Sequence, residues 1–268
     1  MKQLKNIIYI ITLCLFMGSC GEYQAILKST DYNLKYEKAK EYYESEEYEK
    51  AATLLEEVVP IFKGTSLAEE SIYLQAMTHF RQDDYIYAEH YFNQIIRTYP
   101  NHEKIKNCYF NKAYCYYMQS PNVKLDQTSS KKAIEAFAIF MEFYPNEPIT
   151  KEAHTYIDEL QDKLAYKAFL NAKLYYDLGS YLGNNYESAI ITARNCLKNF
   201  PGNVHSEKLS YLILSASLIL AENSVDEKMD ERYRVVVDEY HSFMNDYPNS
   251  SLKKKADDIY DKAQKYLN

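Results

Sequence analysis

The sequence predicts an all-α protein, a superhelical solenoid of about five helical hairpins closed by a C-terminal capping helix. Three observations predict it. Four segments end in similar punctuation: TYPN at 98–101, FYPN at 143–146, NFPG at 199–202 and DYPN at 246–249. Before each proline stand a small or β-branched residue and then a second apolar one, at constant offsets: Ala88 and Phe92, Ala133 and Phe137, Ala189 and Ala193, Val236 and Tyr240. In the first two units another alanine precedes by twelve residues, with a tyrosine at the intervening turn: Ala39, Tyr48, Ala51 and Ala76, Tyr85, Ala88.

These offsets have a mechanical meaning. A small and a large apolar residue four apart share one helix face, where the small one admits a neighbouring helix and the large one fills the space beside it. A proline shortly after the last apolar position stops the helix. Each unit therefore reads as two antiparallel helices.

Taken in order, the first unit is DYNLKYEKAKEYYESEEYEKAATLLEEVV, with Ala51 and Leu55 in register and its proline displaced to Pro60. The second, from Ala76 to Pro100, is the most regular. The third starts at Ala113 and carries an insertion, QSPNVKLDQTSS, before Ala133. The fourth follows Ala172 and the fifth lies near Ser215, both with stretched turns. Residues 251–267 read as a final helix opened by Ser250 or Ser251, its charged outer face suited to a terminal cap. The pattern resembles the tetratricopeptide repeat, with small residues at its eighth and twentieth positions, an aromatic at the twenty-fourth and proline at the thirty-second. Proline spacings of 45, 56 and 47 exceed that repeat's period of about 34. The longest leaves room for an extra helix at 151–164, and the repeat's usual tryptophan is absent, since the chain has none.

The N-terminus reads separately. Lys2 and Lys5 precede an apolar run, Ile7 to Phe16, interrupted by Thr12. Ten residues are too few to span a bilayer, which needs about 20, but they suit a secretory signal. Small Gly18 and Ser19 then precede Cys20. The stretch LFMGSC resembles a bacterial lipobox, in which the chain is cut before a cysteine whose sulfur carries a lipid. Met17 departs from the usual leucine, and a plain secretory signal is the alternative. The expected division is a lipoprotein signal peptide at 1–19, a lipidated tether at 20–31 and the repeat domain at 32–268.

Composition narrows the function. Removing residues 1–19 removes two lysines and no acid, so the net charge moves from −7 to −9. Such a chain gains nothing from the counterion release that drives nucleic-acid binding, so no nucleic acid is expected as partner. Cys108, Cys115 and Cys196 form no disulfide framework. The first two would lie about 10 Å apart along a helix, beyond the reach of about 7 Å for a bridge, and read as small core residues.

With these features in order, the chain resembles the BamD family, lipoproteins of five such repeats in the outer-membrane β-barrel assembly machinery. The likeness covers about residues 20–265. It rests on the Cys20 lipobox, the opening YEKAKEYYESEEYEKA, the insertion SPNVKLDQTSSKKAI and the segment KLAYKAFLNAKLYYDLGSY. The resemblance implies a lipid-anchored scaffold on the outer membrane with its body facing the periplasm. Its implied partners are the barrel insertase, the other assembly lipoproteins, and unfolded outer-membrane protein substrates with their C-terminal peptides.

The residues suggest a peptide-binding surface independently. In a stack of hairpins the first helices line the concave side. The register on Ala39, Ala76 and Ala113 turns Tyr36, Lys40 and Tyr43, then Tyr73, Met77, Phe80 and Arg81, then Phe110, Tyr114 and Tyr117 toward it. Rigid aromatics bring contact area at low entropy cost, and Lys40 and Arg81 could meet a terminal carboxylate. The alternative is that many of these tyrosines serve packing between repeats, tyrosine being used 29 times.

Nothing argues for an enzyme. The six histidines, at 79, 90, 102, 154, 205 and 241, show no HExxH spacing or Cys/His cluster, and no phosphate loop or GxSxG occurs, so no cofactor or metal is expected. His79 falls at a packing position. Two other readings remain: a glycan-capturing outer-membrane lipoprotein, which would lean on tryptophan, and a cell-envelope adaptor for cell-wall or transport machinery.

Overall fold

A computed structural model describes residues 21–181 and 183–268. All regular structure among them is helical. A helix over 21–28 is followed by α1 (Tyr32–Glu44), α2 (Tyr48–Phe62), α3 (Ala68–Arg81), α4 (Tyr85–Thr98), α5 (Ile105–Met118) and α6 (Thr128–Phe143). Then come α7 (Thr150–Leu178), α8 (Asn185–Asn199), α9 (Ser206–Glu222), α10 (Asp226–Asp246) and α11 (Lys253–Leu267). The chain forms two compact units, one of residues through Ser120 with Lys132–Ala153, the other of Pro121–Lys131 with His154–Asn268. No described helix is long and apolar enough to cross a membrane.

In the first unit each helix from α1 to α5 packs on the next, and α1 also touches α3. This is the neighbour pattern of stacked tetratricopeptide-like hairpins. The residues marked by the sequence offsets sit where helices meet: Ala39, Ala51, Leu55, Ala76, Ala88, Phe92, Ala113, Ala133 and Phe137 are all fully buried. An alanine there lets backbones approach, and a larger side chain would force them apart. Around Ala39 pack Ile26, Tyr36, Leu54, Leu55, Val58 and Phe62, and around Ala76 and Ala88 pack Ile72, Phe92, Ile95, Cys108 and Cys115.

The first two hairpins turn in the same way. At the end of α1 the amides of Glu46 and Glu47 donate to the carbonyls of Tyr43 and Tyr42, at 3.1 and 2.8 Å. At the end of α3 those of Asp83 and Asp84 donate to Phe80 and His79, at 3.3 and 3.0 Å. These nested bonds are a Schellman motif, and they place Glu46 (φ 61°) and Asp83 (φ 59°) in the left-handed region that glycine usually fills. The next helix then begins with the turn tyrosine, Tyr48 or Tyr85.

Pro100, Pro145, Pro201 and Pro248 each stand two residues past a helix end, as the punctuation predicts. Pro60 instead lies inside the last turn of α2. The extra helix expected at 151–164 is not separate: α7 runs unbroken for 29 residues and absorbs the first helix of the fourth repeat. Between Thr150 and Leu178 the chain has no glycine or proline to stop it, and Gly179, with φ of 57°, ends it.

In the second unit α9 is buried nearly all round. Leu209, Leu212, Ile213 and Ala216 pack with Ala165, Ala172, Ala189, Ala193 and Cys196 of α7 and α8. Leu214, Leu218 and Ala221 pack with Tyr233, Val236 and Phe243 of α10 and with Ala256, Ile259 and Ala263 of α11. The remaining face of α11 is charged and exposed. Its start differs slightly from expectation: the Ser250 hydroxyl accepts from the Leu252 amide at 2.9 Å, one turn ahead of the helix proper.

Candidate peptide-binding surface

The ten residues that the sequence turns toward one face lie on α1, α3 and α5 of the first unit, and the structure divides them by role. Tyr36 is 6% exposed, its ring edge-on to Phe62 at 5.5 Å, so it belongs to the core of the first hairpin, and burial pushes its hydroxyl pKa up. Lys40 lies 5.5 Å over that ring and pairs with Glu37 at 2.9 Å. Tyr43 packs edge-on to Tyr48, and its hydroxyl accepts a hydrogen bond from Arg81 that raises the guanidinium pKa further. Both cations assigned to a terminal carboxylate thus have partners within the fold.

An aromatic series connects α3 to α5. Phe80 touches Tyr85, Phe92 and Tyr114 with centroids 5.8, 6.1 and 5.8 Å away. Tyr114 continues to Phe110 at 6.4 Å and Tyr117 at 5.8 Å. Phe110 is 7% exposed and meets Phe137 and Phe140 edge-on at 5.6 and 5.4 Å. Tyr114 and Tyr117 remain partly exposed at the surface of this series.

Tyr73, Met77 and Phe110 come together in one cleft of about 220 Å³, shared with Lys106, Asn107, Asn111, Phe140, Glu147 and Ile149. Tyr73 forms one wall. Its ring stacks on His102 at 5.3 Å, with the Lys104 ammonium 4.7 Å from its centroid, and burial raises its hydroxyl pKa despite a hydrogen bond from Asn107 that lowers it. The Met77 sulfur accepts from the Asn111 amide at 3.6 Å. Lys106 pairs with Glu147 at 3.1 Å at the rim.

The cleft thus has an apolar floor, two carboxamides and, at its rim, a lysine that is itself paired with Glu147. Its chemistry suits an extended peptide: a side chain against Phe110 and Met77, main-chain groups to Asn107 and Asn111, a carboxylate toward Lys106. Sequence reasoning missed the polar half. Asn107 and Asn111 are four apart on α5, a spacing visible in the sequence, whereas Glu147 and Ile149 come from the loop after the third proline, where no periodicity reaches.

No described group of three or more His, Cys, Asp or Glu is gathered as a metal site. His79 is buried, stacked between Tyr87 and Tyr91 at 5.4 and 5.5 Å, with Nδ1 3.2 Å from Asp84. Cys108, Cys115 and Cys196 are buried free thiols, and burial pushes that of Cys108 up to about 12.

Residues 29–183, more than half of the chain, match the sequence profile of the family described as YfiO, outer membrane lipoprotein. Outer membrane protein assembly factor BamD of Caulobacter vibrioides is 24% identical over 156 residues, 58% of this chain and 50% of that protein. Its namesake from Rickettsia prowazekii is 23% identical over 177 residues, 66% of this chain and 68% of that protein. The chain therefore spans half the length of the first of these relatives and about two thirds of the second. Among solved structures, the human IFIT1 dimer with PPP-AAAA overlaps 84% of this chain and 58% of that one at 17% identity, with a TM-score of 0.27, too low to carry an argument.

Proposed function

The chain belongs to the YfiO, or BamD, family of outer membrane lipoproteins, and on that footing we propose that it is a non-catalytic scaffold for assembling outer-membrane β-barrels. A lipid on Cys20 holds it to the outer membrane with its body in the periplasm. It docks the barrel insertase and the companion lipoproteins of that machinery, and it receives unfolded outer-membrane chains by their C-terminal segments.

The observation that carries this reading is the cleft of Tyr73, Met77 and Phe110, with the carboxamides of Asn107 and Asn111 beside the apolar floor. It offers an extended chain both a pocket for an apolar side chain and partners for its backbone, without demanding one sequence. Curated relatives named for outer membrane protein assembly support the same role.

Affinity purification from detergent-solubilised envelopes tests it. Co-recovery of a large β-barrel protein with periplasmic domains is the expected result. Recovery of cell-wall enzymes without any barrel protein would replace this reading with the adaptor one.

A further inference from the structure

The segment that follows Cys20 is docked onto the first hairpin. Residues 21–28 are helical, and contacts fix both ends of that helix. At its start, Glu22 pairs with Lys38 at 3.2 Å and Tyr23 packs edge-on to Tyr42 at 5.6 Å. The Lys50 ammonium covers both rings, 5.7 and 5.1 Å from their centroids. In its middle, Ile26 is 5% exposed and joins the core of Leu54, Leu55 and Val58. At its end, the Leu27 carbonyl accepts from the Lys35 ammonium at 2.9 Å. Lys35 is itself 2% exposed and also pairs with Glu57.

These contacts set a direction. The start of the helix lies against the second half of α1 and the first turn of α2, and its end lies against the first turn of α1. Gly21 therefore stands at the end of the hairpin that carries the 44–48 turn. Cys20 itself lies outside the described residues, and its covalent link to Gly21 limits it to one Cα step, about 3.8 Å, from that point.

We propose that helix 21–28 is a rigid lipid mount, holding the first hairpin against the membrane by its 44–48 turn. The proposal rests on the reading that Cys20 is acylated. A free linker over residues 20–31 would let the body wander by about 20 Å, whereas the docked helix fixes the anchor point on one end of the hairpin. The loop at 63–67 is held farther away by the length of α2, about 22 Å. The turn brings Glu44, Glu46, Glu47 and Glu49 to the surface beside Lys50. That charge is repelled by an anionic lipid surface, which leaves a zwitterionic phosphatidylethanolamine surface as the one the turn can approach.

Fluorophores at Glu46→Cys and Ser66→Cys test the geometry, since the described native thiols are buried and leave the new cysteine as the labelled one. The full lipidated protein is placed in phosphatidylethanolamine and phosphatidylcholine vesicles carrying a headgroup nitroxide. Several-fold stronger quenching at position 46 than at 66 is the expected result, and equal quenching of floating protein overturns the mount. Inserting about a dozen Gly and Ser residues between Cys20 and Gly21 leaves the core untouched and should bring both labels to one level. An unchanged difference in that variant also overturns the mount. Protein that fails to float with the vesicles refutes the acylation of Cys20, and the mount with it.

Discussion

The phenol of Tyr240 lies flat over that of Tyr260, centroids 4.3 Å apart, and its hydroxyl donates to Asp257 at 2.8 Å. With Tyr233 stacked on Tyr266 at 4.1 Å, aromatic pairs fasten α11 to α10 on either side of the buried Ala256, Ile259 and Ala263. Tyr240→Phe keeps the stacking and loses the bond to a carboxylate, so unfolding in urea should show a loss of about 1.5–3 kcal/mol. Deleting residues 253–268 should do more, exposing Leu214, Leu218 and Phe243 and turning the purified protein into aggregates on size exclusion.

Gly179 ends α7 with φ of 57°, and a Cβ built there would lie 2.7 Å from the Tyr186 hydroxyl oxygen. Gly179→Ala thus combines a left-handed backbone with a clash. It should destabilise the protein by about 1–3 kcal/mol, measured by the urea midpoint at unchanged slope. Pairing it with Tyr186→Phe, which removes the clashing oxygen, should recover part of the loss and leave the backbone part.

Binding at the cleft and along the aromatic series that runs from Phe110 through Tyr114 to Tyr117 predicts a defined pattern among mutants. A synthetic barrel C-terminal peptide should bind the wild-type protein and lose at least about tenfold in affinity, 1.4 kcal/mol, with Tyr73→Ala and Tyr117→Ala together. Far-ultraviolet circular dichroism should stay unchanged, because both rings are partly exposed. Unaltered affinity would move the peptide site elsewhere. Lys106→Ala separates the carboxylate contribution: it should weaken a free-acid peptide more than its amide.

His205 stacks against the rings of Tyr166 and Phe169, centroids 5.0 and 4.6 Å away. Burial first and Lys208 second lower its pKa below the ordinary value of 6.5, against the opposing pull of Asp162. The unfolded state therefore takes up a proton more readily. The stability tied to neutral His205 is full above about pH 6.5 and is lost as pH falls through the lower folded-state pKa. Urea midpoints should decline over this interval, and His205→Phe, which keeps the stack, should flatten that part of the decline.

The buried half of the fold was legible because packing writes itself into spacing. Ala39, Ala51, Ala76, Ala88, Ala113 and Ala133 are fully buried at the positions their offsets assigned. Tyrosine was harder to read, since the same residue fills the core at Tyr36 and the surface series at Tyr117, and only the neighbouring helix decides which. The proline spacing suggested a break within 150–178, but a helix stops for a local reason, and none occurs before Gly179. The cleft was half legible for a related reason: Tyr73, Met77 and Phe110 follow the helical period, while Glu147 and Ile149 arrive through an aperiodic loop.

The three buried thiols carry a consequence for export. Cys108 and Cys115 are seven residues apart on α5 and cannot meet once it forms, yet in an extended chain nothing separates them. In the oxidising compartment proposed for the protein, newly translocated chains thus face a race between helix formation and an unwanted crosslink. The winner determines how much of each cohort matures, and a chain that closes its third hairpin quickly needs no reductase to rescue it.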